Sequence, residues 1–352
     1  MTETGDGAGT VAVLGAGAMG SALATPLRAA GWEVRLWGTA YDEHLLDACA
    51  AGQPHPRTGV PVPAGVRLYR SDEFAEALHG VDTVVLSTSS AGVVDTTAAA
   101  TPYLTGVRAL LLTSKGFAAN AEGRVGPLHK AVQATIQAQG WEPVPVIVVG
   151  GPCLATEVAA GRPTAAVFGC ADRALAQRYA TRMGTDVYRA HATEDETGVE
   201  LCSSLKNVYA IALGITDGLS KGGHQPSDNL KGAVFARAVT EMVFLVEALG
   251  GEASTAYGLA GAGDLEVTGM SGRNKIYGSR VGAGQAPTTA LAEMAAAEQT
   301  VEGVPAARLA KRLVDQRLEG AWPRLPLLRT MIGLVDGKAT VSDVVAAALP
   351  RL

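Results

Sequence analysis

Between two short apolar segments, residues 11–14 and 33–37, the chain reads Gly15-Ala-Gly-Ala-Met-Gly20 followed by SALATPLRAAG. Nothing else in the sequence constrains the fold as much. Ala22, Leu23, Leu27 and Ala30 have helical spacing, so the order is strand, glycine turn, helix, strand, the opening unit of a right-handed βαβ arrangement. Glycines at these three positions let the backbone turn tightly, approach a pyrophosphate closely and pack the helix on the strand, while the helix N-terminus faces negative charge. The candidate cofactor contacts of the turn are therefore Gly15, Gly17, Ala18, Met19 and Gly20. A glycine turn can also be purely structural, but its place between a clear strand and a clear helix favours nucleotide binding.

Strand-length apolar segments at 83–87, 109–113, 144–149 and 165–168 alternate with helical stretches, which predicts a doubly wound, mostly parallel sheet. Near Thr193 the character changes. Val199, Leu205, Val208, Ala212, Ile215 and Leu219 recur at three- and four-residue spacing, predicting one long helix over 196–219. A second helix is expected over 229–249, stopped by Gly250-Gly251, and others over 305–318, 326–335 and 342–349. At 352 residues the chain is too long for one ordinary core. The expected fold is α/β: a Rossmann-type domain over 11–192, an all-helical domain over 193–352, and residues 1–10, polar and glycine-rich, as a loose tail.

Hydrophobic residues make up 47% of the chain and charged residues 18%, enough apolar material to exclude a mainly disordered protein. No apolar run approaches the roughly 18 residues that span a bilayer, so no membrane span is expected. With a net charge of -5 the surface has no basic excess for a nucleic-acid backbone, and any anionic ligand must be held by a local cluster. Cys49, Cys153, Cys170 and Cys202 show neither a C-x-x-C pair nor a metal-ligand rhythm, which suits reduced thiols in a cytoplasmic protein without a bound metal.

Lys206 lies in the long helix with Asn207 beside it and Leu205, Val208 and Ile211 around it. Burial lowers a lysine's pKa towards the range useful for proton transfer, whereas the bland reading is a lysine snorkelling from a helix edge. Lys115 follows a strand, at the carboxyl end where open α/β sheets place ligands. Segment 258–274 holds too much glycine for a core helix and ends in Arg273-Asn274; with Thr268 nearby, the planar Arg fork suits phosphate capture. After Trp37 there is no Arg for an NADP 2′-phosphate and no Asp or Glu before Asp42. Cofactor choice stays open, with relaxed or NAD-leaning use expected.

Together these pieces resemble the NAD(P)-dependent glycerol-3-phosphate dehydrogenase family from about Val11 to Ala348. The likeness is carried by 59–63 (GVPVP), 113–116 (TSKG), 151–157 (GPCLATE), 198–201 (GVEL), 205–208 (LKNV), 258–265, 272–274 (GRN) and 301–303 (VEG). The resemblance implies an oxidoreductase that moves a hydride between NAD or NADP and the carbonyl of dihydroxyacetone phosphate, giving sn-glycerol 3-phosphate for glycerophospholipid biosynthesis. It also implies a homodimer and a helical domain of the 6-phosphogluconate dehydrogenase C-terminal type. By resemblance Lys206 is the proton donor and acceptor at the carbonyl. Lys115, Asn207, Asp264 and Thr268 surround that carbonyl and the phosphate, Lys115 and Asp264 counting as catalytic and Lys115 also reaching the cofactor. Arg273 and Asn274 match a phosphate and cofactor clamp, Glu302 and Ala155 match cofactor contacts, and Gly151 with Cys153 aligns with a Gly-Pro-Ser substrate turn.

The chain departs from the bacterial pattern in several places. Ala18-Met19 stands where Ser-Trp is common, Cys153 replaces a serine, and the loop from Asp264 to Arg273 is two residues shorter. Segment 219–227 is longer than usual and adds Lys221 and His224. Such changes leave room for a paralogue that reduces a related phosphorylated or phosphonate ketone. Reductases of the ketopantoate and hydroxyisobutyrate type share the same two-domain plan and are the other alternative.

Overall fold

The structure, a computed structural model, describes residues 9–221 and 228–349. Ten strands are present among them: β1 (Thr10–Leu14), β2 (Glu33–Trp37), β3 (Arg67–Tyr69), β4 (Thr83–Leu86), β5 (Ala109–Leu112), β6 (Phe117–Ala119), β7 (Val125–Pro127), β8 (Val146–Gly150), β9 (Thr164–Gly169) and β10 (Tyr188–Thr193). Eight form one sheet in the order β10-β9-β8-β5-β4-β1-β2-β3, and β6 pairs with β7 apart from it. Of the tail expected at 1–10, residues 1–8 lie outside the described residues, while Thr10 already pairs with Glu33.

The sheet is parallel except where β8 meets β9. Strands β4 and β5 are wholly buried, the unbroken apolar character expected of parallel strands covered on both faces. From β1 the chain runs outward through β2 and β3, then returns to the other side of β1 as β4. That reversal makes β1 and β4 a topological switch point, with the crevice at their carboxyl ends.

By its contacts the chain divides into two compact units, the first comprising residues up to Lys115 together with Leu128–Glu196, the second Gly116–Pro127 together with residues from Thr197 on. The sequence predicts one boundary, after 192, with 116–127 in the first domain. The hairpin β6–β7 joins the second unit through hydrogen bonds. Gly123 O accepts from Arg312 Nη2 (2.7 Å) and Gln316 Nε2 (3.0 Å), Val125 N donates to Gln316 Oε1 (2.8 Å), and Ser204 Oγ donates to Gly116 O (2.9 Å). Two three-residue strands carry too little periodicity to be read from sequence.

In the second unit, helix Glu196–Lys221 is buried on nearly every side between Val199 and Thr216. Helix Arg273–Gly282 lies against it with backbone touching backbone. A Cβ on Gly214, Gly218, Gly278 or Gly282 would sit 2.0 to 2.2 Å from a carbonyl oxygen of the facing helix. Within segment 258–274, expected to be too glycine-rich for a core helix, a wide π turn, Leu259–Gly263, leads into the short helix Asp264–Met270. There too the glycines serve close approach: a Cβ on Gly261 would lie 2.0 Å from Ala256 O.

The buried Glu241 of helix Asp228–Ala248 accepts from Leu327 N (2.7 Å) and Leu328 N (2.8 Å) at the start of helix Pro326–Val335, and from Tyr209 Oη (3.1 Å). It thereby caps one helix and ties it to two others. Burial pushes its pKa up to about 7, against the pull of the two backbone N–H groups and Tyr209.

Candidate active site

Gly15, at the end of β1, has φ +117°, and a Cβ there would lie 2.8 Å from the Ser87 carbonyl carbon and oxygen. A Cβ on Gly20 would lie 1.9 Å from Gly15 O. Both positions must be glycine for the turn to close. Gly17 differs: it precedes helix Ala18–Ala29, and the one atom near its missing side chain is Arg57 Nη1 at 3.6 Å. The first helical turn has no acidic residue, and no side chain caps it. Open backbone and N–H groups free of side-chain caps fit a dinucleotide pyrophosphate. Ala18 and Met19 are half-buried in that first turn, Met19 resting on the core beneath. The Thr88 hydroxyl, beyond β4, is buried without a hydrogen-bond partner, a donor available beside the crevice.

The other first-unit candidates also stand at carboxyl ends of parallel strands. Lys115 follows β5 by three residues and is half-buried. Ser114 Oγ donates to Thr88 O (2.5 Å) and Thr113 Oγ1 pairs with Ser87 Oγ (3.0 Å), so the loops after β4 and β5 hold each other. Gly151, with φ +103°, follows β8, and a Cβ there would press on Ala165 O at 3.0 Å. Half-buried Cys153 directs its Sγ towards the same carbonyl at 3.8 Å, and Ala155 opens the short helix Ala155–Ala159. Asp42, the acid nearest the end of β2, is buried and accepts from Thr39 N (3.1 Å) and Thr39 Oγ1 (2.9 Å).

In the second unit Lys206 is only 4% exposed and its Nζ contacts Asp264 Oδ1, itself 2% exposed. The snorkelling alternative is thereby removed. Thr268 Oγ1 donates to the same carboxylate at 3.4 Å. One residue along, Asn207 Oδ1 accepts from Asn274 Nδ2 (3.0 Å), while Asn274 Oδ1 takes the backbone N–H of Gly303 (2.9 Å). Asn207 Nδ2 has no partner although the residue is 4% exposed. A buried amide donor left unsatisfied is costly, and one beside a buried lysine marks where a ligand oxygen belongs. Arg273, at the start of its helix, reaches Glu302 at 3.9 Å with both side chains partly in solvent. The structure thus brings Lys206, Asp264 and Thr268 together, links Asn207 with Asn274, and pairs Arg273 with Glu302. Arg57 was not singled out from sequence, because nothing local distinguishes it from any loop arginine.

Two family models match the chain: the N-terminal part of NAD-dependent glycerol-3-phosphate dehydrogenase over residues 10–176 and its C-terminal part over 195–346. An NADP(+)-dependent glycerol-3-phosphate dehydrogenase of Archaeoglobus fulgidus is 36% identical over 86% of this chain and 89% of its own. A glycerol-3-phosphate dehydrogenase [NAD(P)+] of Rhodospirillum rubrum is 32% identical over 97% and 92%. Among solved structures, glycerol-3-phosphate dehydrogenase from Coxiella burnetii superposes with a TM-score of 0.83 at 30% identity, covering 98% of this chain and 99% of that one.

Proposed function

The chain belongs to the NAD-dependent glycerol-3-phosphate dehydrogenase family, and from that premise we propose that it reduces the carbonyl of dihydroxyacetone phosphate to sn-glycerol 3-phosphate with Lys206 as the proton donor. NAD(P)H, when bound, supplies the hydride. Gly15, Gly17 and Gly20 with the N-terminus of helix Ala18–Ala29 hold its pyrophosphate, with Ala18, Met19 and Ala155 as first-unit contacts. Lys206 donates its proton from Nζ to the carbonyl oxygen as negative charge develops there, and in the reverse direction takes it back from the hydroxyl. Asp264 fixes the position of Nζ, and Thr268 fixes Asp264. Asn207 Nδ2 donates to a substrate oxygen. Arg273 and Asn274 serve the phosphate, Glu302 sets the orientation of Arg273 at the cofactor side, and Lys115 adds positive charge. Gly151 gives the chain its turn on the substrate side and Cys153 lies beside it. A proton donor and hydrogen-bond donors held in position where charge develops are what make such acid–base help effective.

The observation that carries this reading is the buried Lys206–Asp264 pair beside the unpartnered Asn207 amide. Lys206→Ala should lower kcat for dihydroxyacetone phosphate by on the order of 10²- to 10⁴-fold and leave the Kd for reduced cofactor unchanged. Turnover of ketopantoate above that of dihydroxyacetone phosphate would overturn the reading. Cys153, whose thiol is a poorer donor than the family's serine hydroxyl, supports a second reading in which a related phosphorylated or phosphonate ketone is the preferred substrate. A panel of ketose phosphates and phosphonate analogues decides between them. Cys49, Cys153, Cys170 and Cys202, which form no disulfide with one another, support a cytoplasmic setting, and among the described residues no helix is long and apolar enough to cross a membrane. The family supports a homodimer, which sedimentation would test.

A further inference from the structure

We propose that Arg57 makes this protein prefer NADPH, its guanidinium binding the 2′-phosphate on the adenosine ribose of the cofactor. The inference rests on the nicotinamide-dependent reading above and sharpens it to one cofactor. The expectation of NAD-leaning use considered only the turn after Trp37. Folding brings a second segment, carrying Arg57, beside the glycine turn that adjoins the end of β2.

Arg57 lies in the loop between β2 and β3, and the loop is anchored to the glycine turn. His55, 1% exposed, holds Ala16 O with Nε2 at 2.9 Å and accepts Arg57 N on Nδ1 at 3.2 Å. Burial lowers the imidazole pKa, against the opposing pull of Ala16 O, and a neutral ring is what the arrangement needs, with one nitrogen donating and the other accepting. Gly59 N donates to His55 O (2.8 Å) and His55 N to Val60 O (3.0 Å), closing the loop. The Arg57 backbone is therefore anchored at the turn by a buried clamp, and its exposed side chain extends from that fixed point.

Position and charge point to a phosphate. Arg57 Nη1 lies 3.6 Å from the place of a Gly17 side chain, with no other atom within 4 Å of it. Gly15 N donates to Trp37 O at 2.8 Å, so the end of β2, where the ribose 2′ position is read in this fold, adjoins the same turn. No carboxylate pairs with Arg57 among the described residues. The acid that would bind a ribose 2′-hydroxyl and repel a 2′-phosphate is missing: Asp42 is turned inward onto Thr39. The pyrophosphate already has the helix N-terminus. A cation added here, on a chain of net charge -5, matches the extra phosphate of NADPH, and its planar fork suits a phosphate monoester.

The test is a binding titration without ketone, reading Kd for NADPH and NADH from nicotinamide fluorescence or heat. The wild type should bind NADPH at least about tenfold more tightly than NADH. Arg57→Ala should weaken NADPH by roughly 10- to 100-fold, the range for a hydrogen bond to a charged group, and NADH by less than about threefold; Arg57→Lys should recover part of the loss. Equal weakening of both cofactors would place Arg57 on the pyrophosphate and overturn the proposal, as would no weakening of either or a wild type that prefers NADH. Circular dichroism of each variant checks that the exposed substitution leaves the fold intact. No ketone enters the titration, so a failed substrate assignment leaves its result unaffected, while failure to bind either dinucleotide would count against the family-level reading itself.

Discussion

Arg273 is the residue whose side chain most depends on its shape. It stands at the first position of its helix, about half exposed, with Glu302 3.9 Å away, a separation at which the carboxylate orients the guanidinium without saturating it. A planar fork can satisfy two phosphate oxygens, whereas lysine offers a compact point charge. Arg273→Lys should therefore weaken kcat/KM for dihydroxyacetone phosphate by about 1.5 to 3 kcal/mol, and the slow reduction of unphosphorylated dihydroxyacetone much less. Equal losses with both substrates would assign Arg273 to the cofactor or to folding. The contrast with Arg57 shows what residue-scale reading can reach. Lys206 and Asn207 stand out because a lysine and an amide on the apolar spacing of a long helix conflict with their surroundings. Arg57 conflicts with nothing nearby in sequence. Its meaning comes from His55 gripping Ala16, 39 residues earlier.

At the scale of elements, the packing of helix Arg273–Gly282 on helix Glu196–Lys221 depends on glycine at four positions. Gly278→Ala would gain about 1 kcal/mol of helix propensity. Against that, its Cβ would sit 2.0 Å from Ile211 O and 2.9 Å from the Ile211 carbonyl carbon, and backbone in a buried helix pair cannot swing aside as a flexible side chain can. Overpacking of this kind costs typically 1–3 kcal/mol, so the net effect is a lower Tm and a weakened Asn207–Asn274 link one turn away. Gly232, helical and exposed with nothing within 4 Å of its Cβ position, is the counterpart: Gly232→Ala should raise the Tm. A Tm unchanged or raised by Gly278→Ala would show the helices able to move apart. The helices themselves were legible: spacing predicted 196–219 and 229–249, and Glu196–Lys221 and Asp228–Ala248 form. Segment 258–270 was not, because glycine reads as a helix breaker until the partner it must approach is known. The same reason hides the Gly214–Gly278 contact.

For the molecule as a whole, the sheet and its order of alternation were readable from apolar runs, but the division into units was drawn four residues early because Glu196, the first residue of the long helix, remains with the sheet unit. Its carboxylate is held there by Ala171 N (2.9 Å), Lys130 Nζ (3.1 Å) and His129 Nε2 (3.2 Å). Burial alone would raise its pKa; the bonds from His129, Ala171 and Lys130 outweigh it and pull the group from 4.5 down to about 2. A depressed acid contributes stability that is fully present above the unfolded value and is lost as pH falls through the folded one. Glu196 therefore supports the fold above pH 4.5, and its contribution, on the order of 3 kcal/mol at ~1.4 kcal/mol per pKa unit, disappears between pH 4.5 and about 2. Glu241 works in the opposite sense. Its folded pKa, raised from 4.5 to about 7, favours the protonated form in the native state, so stability falls as pH rises from 4.5 to about 7 and is level above that. The two acids thus act on opposite sides of pH 4.5: Glu196 withdraws stability below it and Glu241 above it. Glu241→Gln should flatten the neutral limb of a Tm-against-pH profile without altering the acid limb, and Glu196→Gln should do the reverse. A wild-type Tm-against-pH profile that runs parallel to that of Glu241→Gln from pH 4.5 to 7 would show that Glu241 stays ionised, held by Leu327 and Leu328 more firmly than burial opposes it.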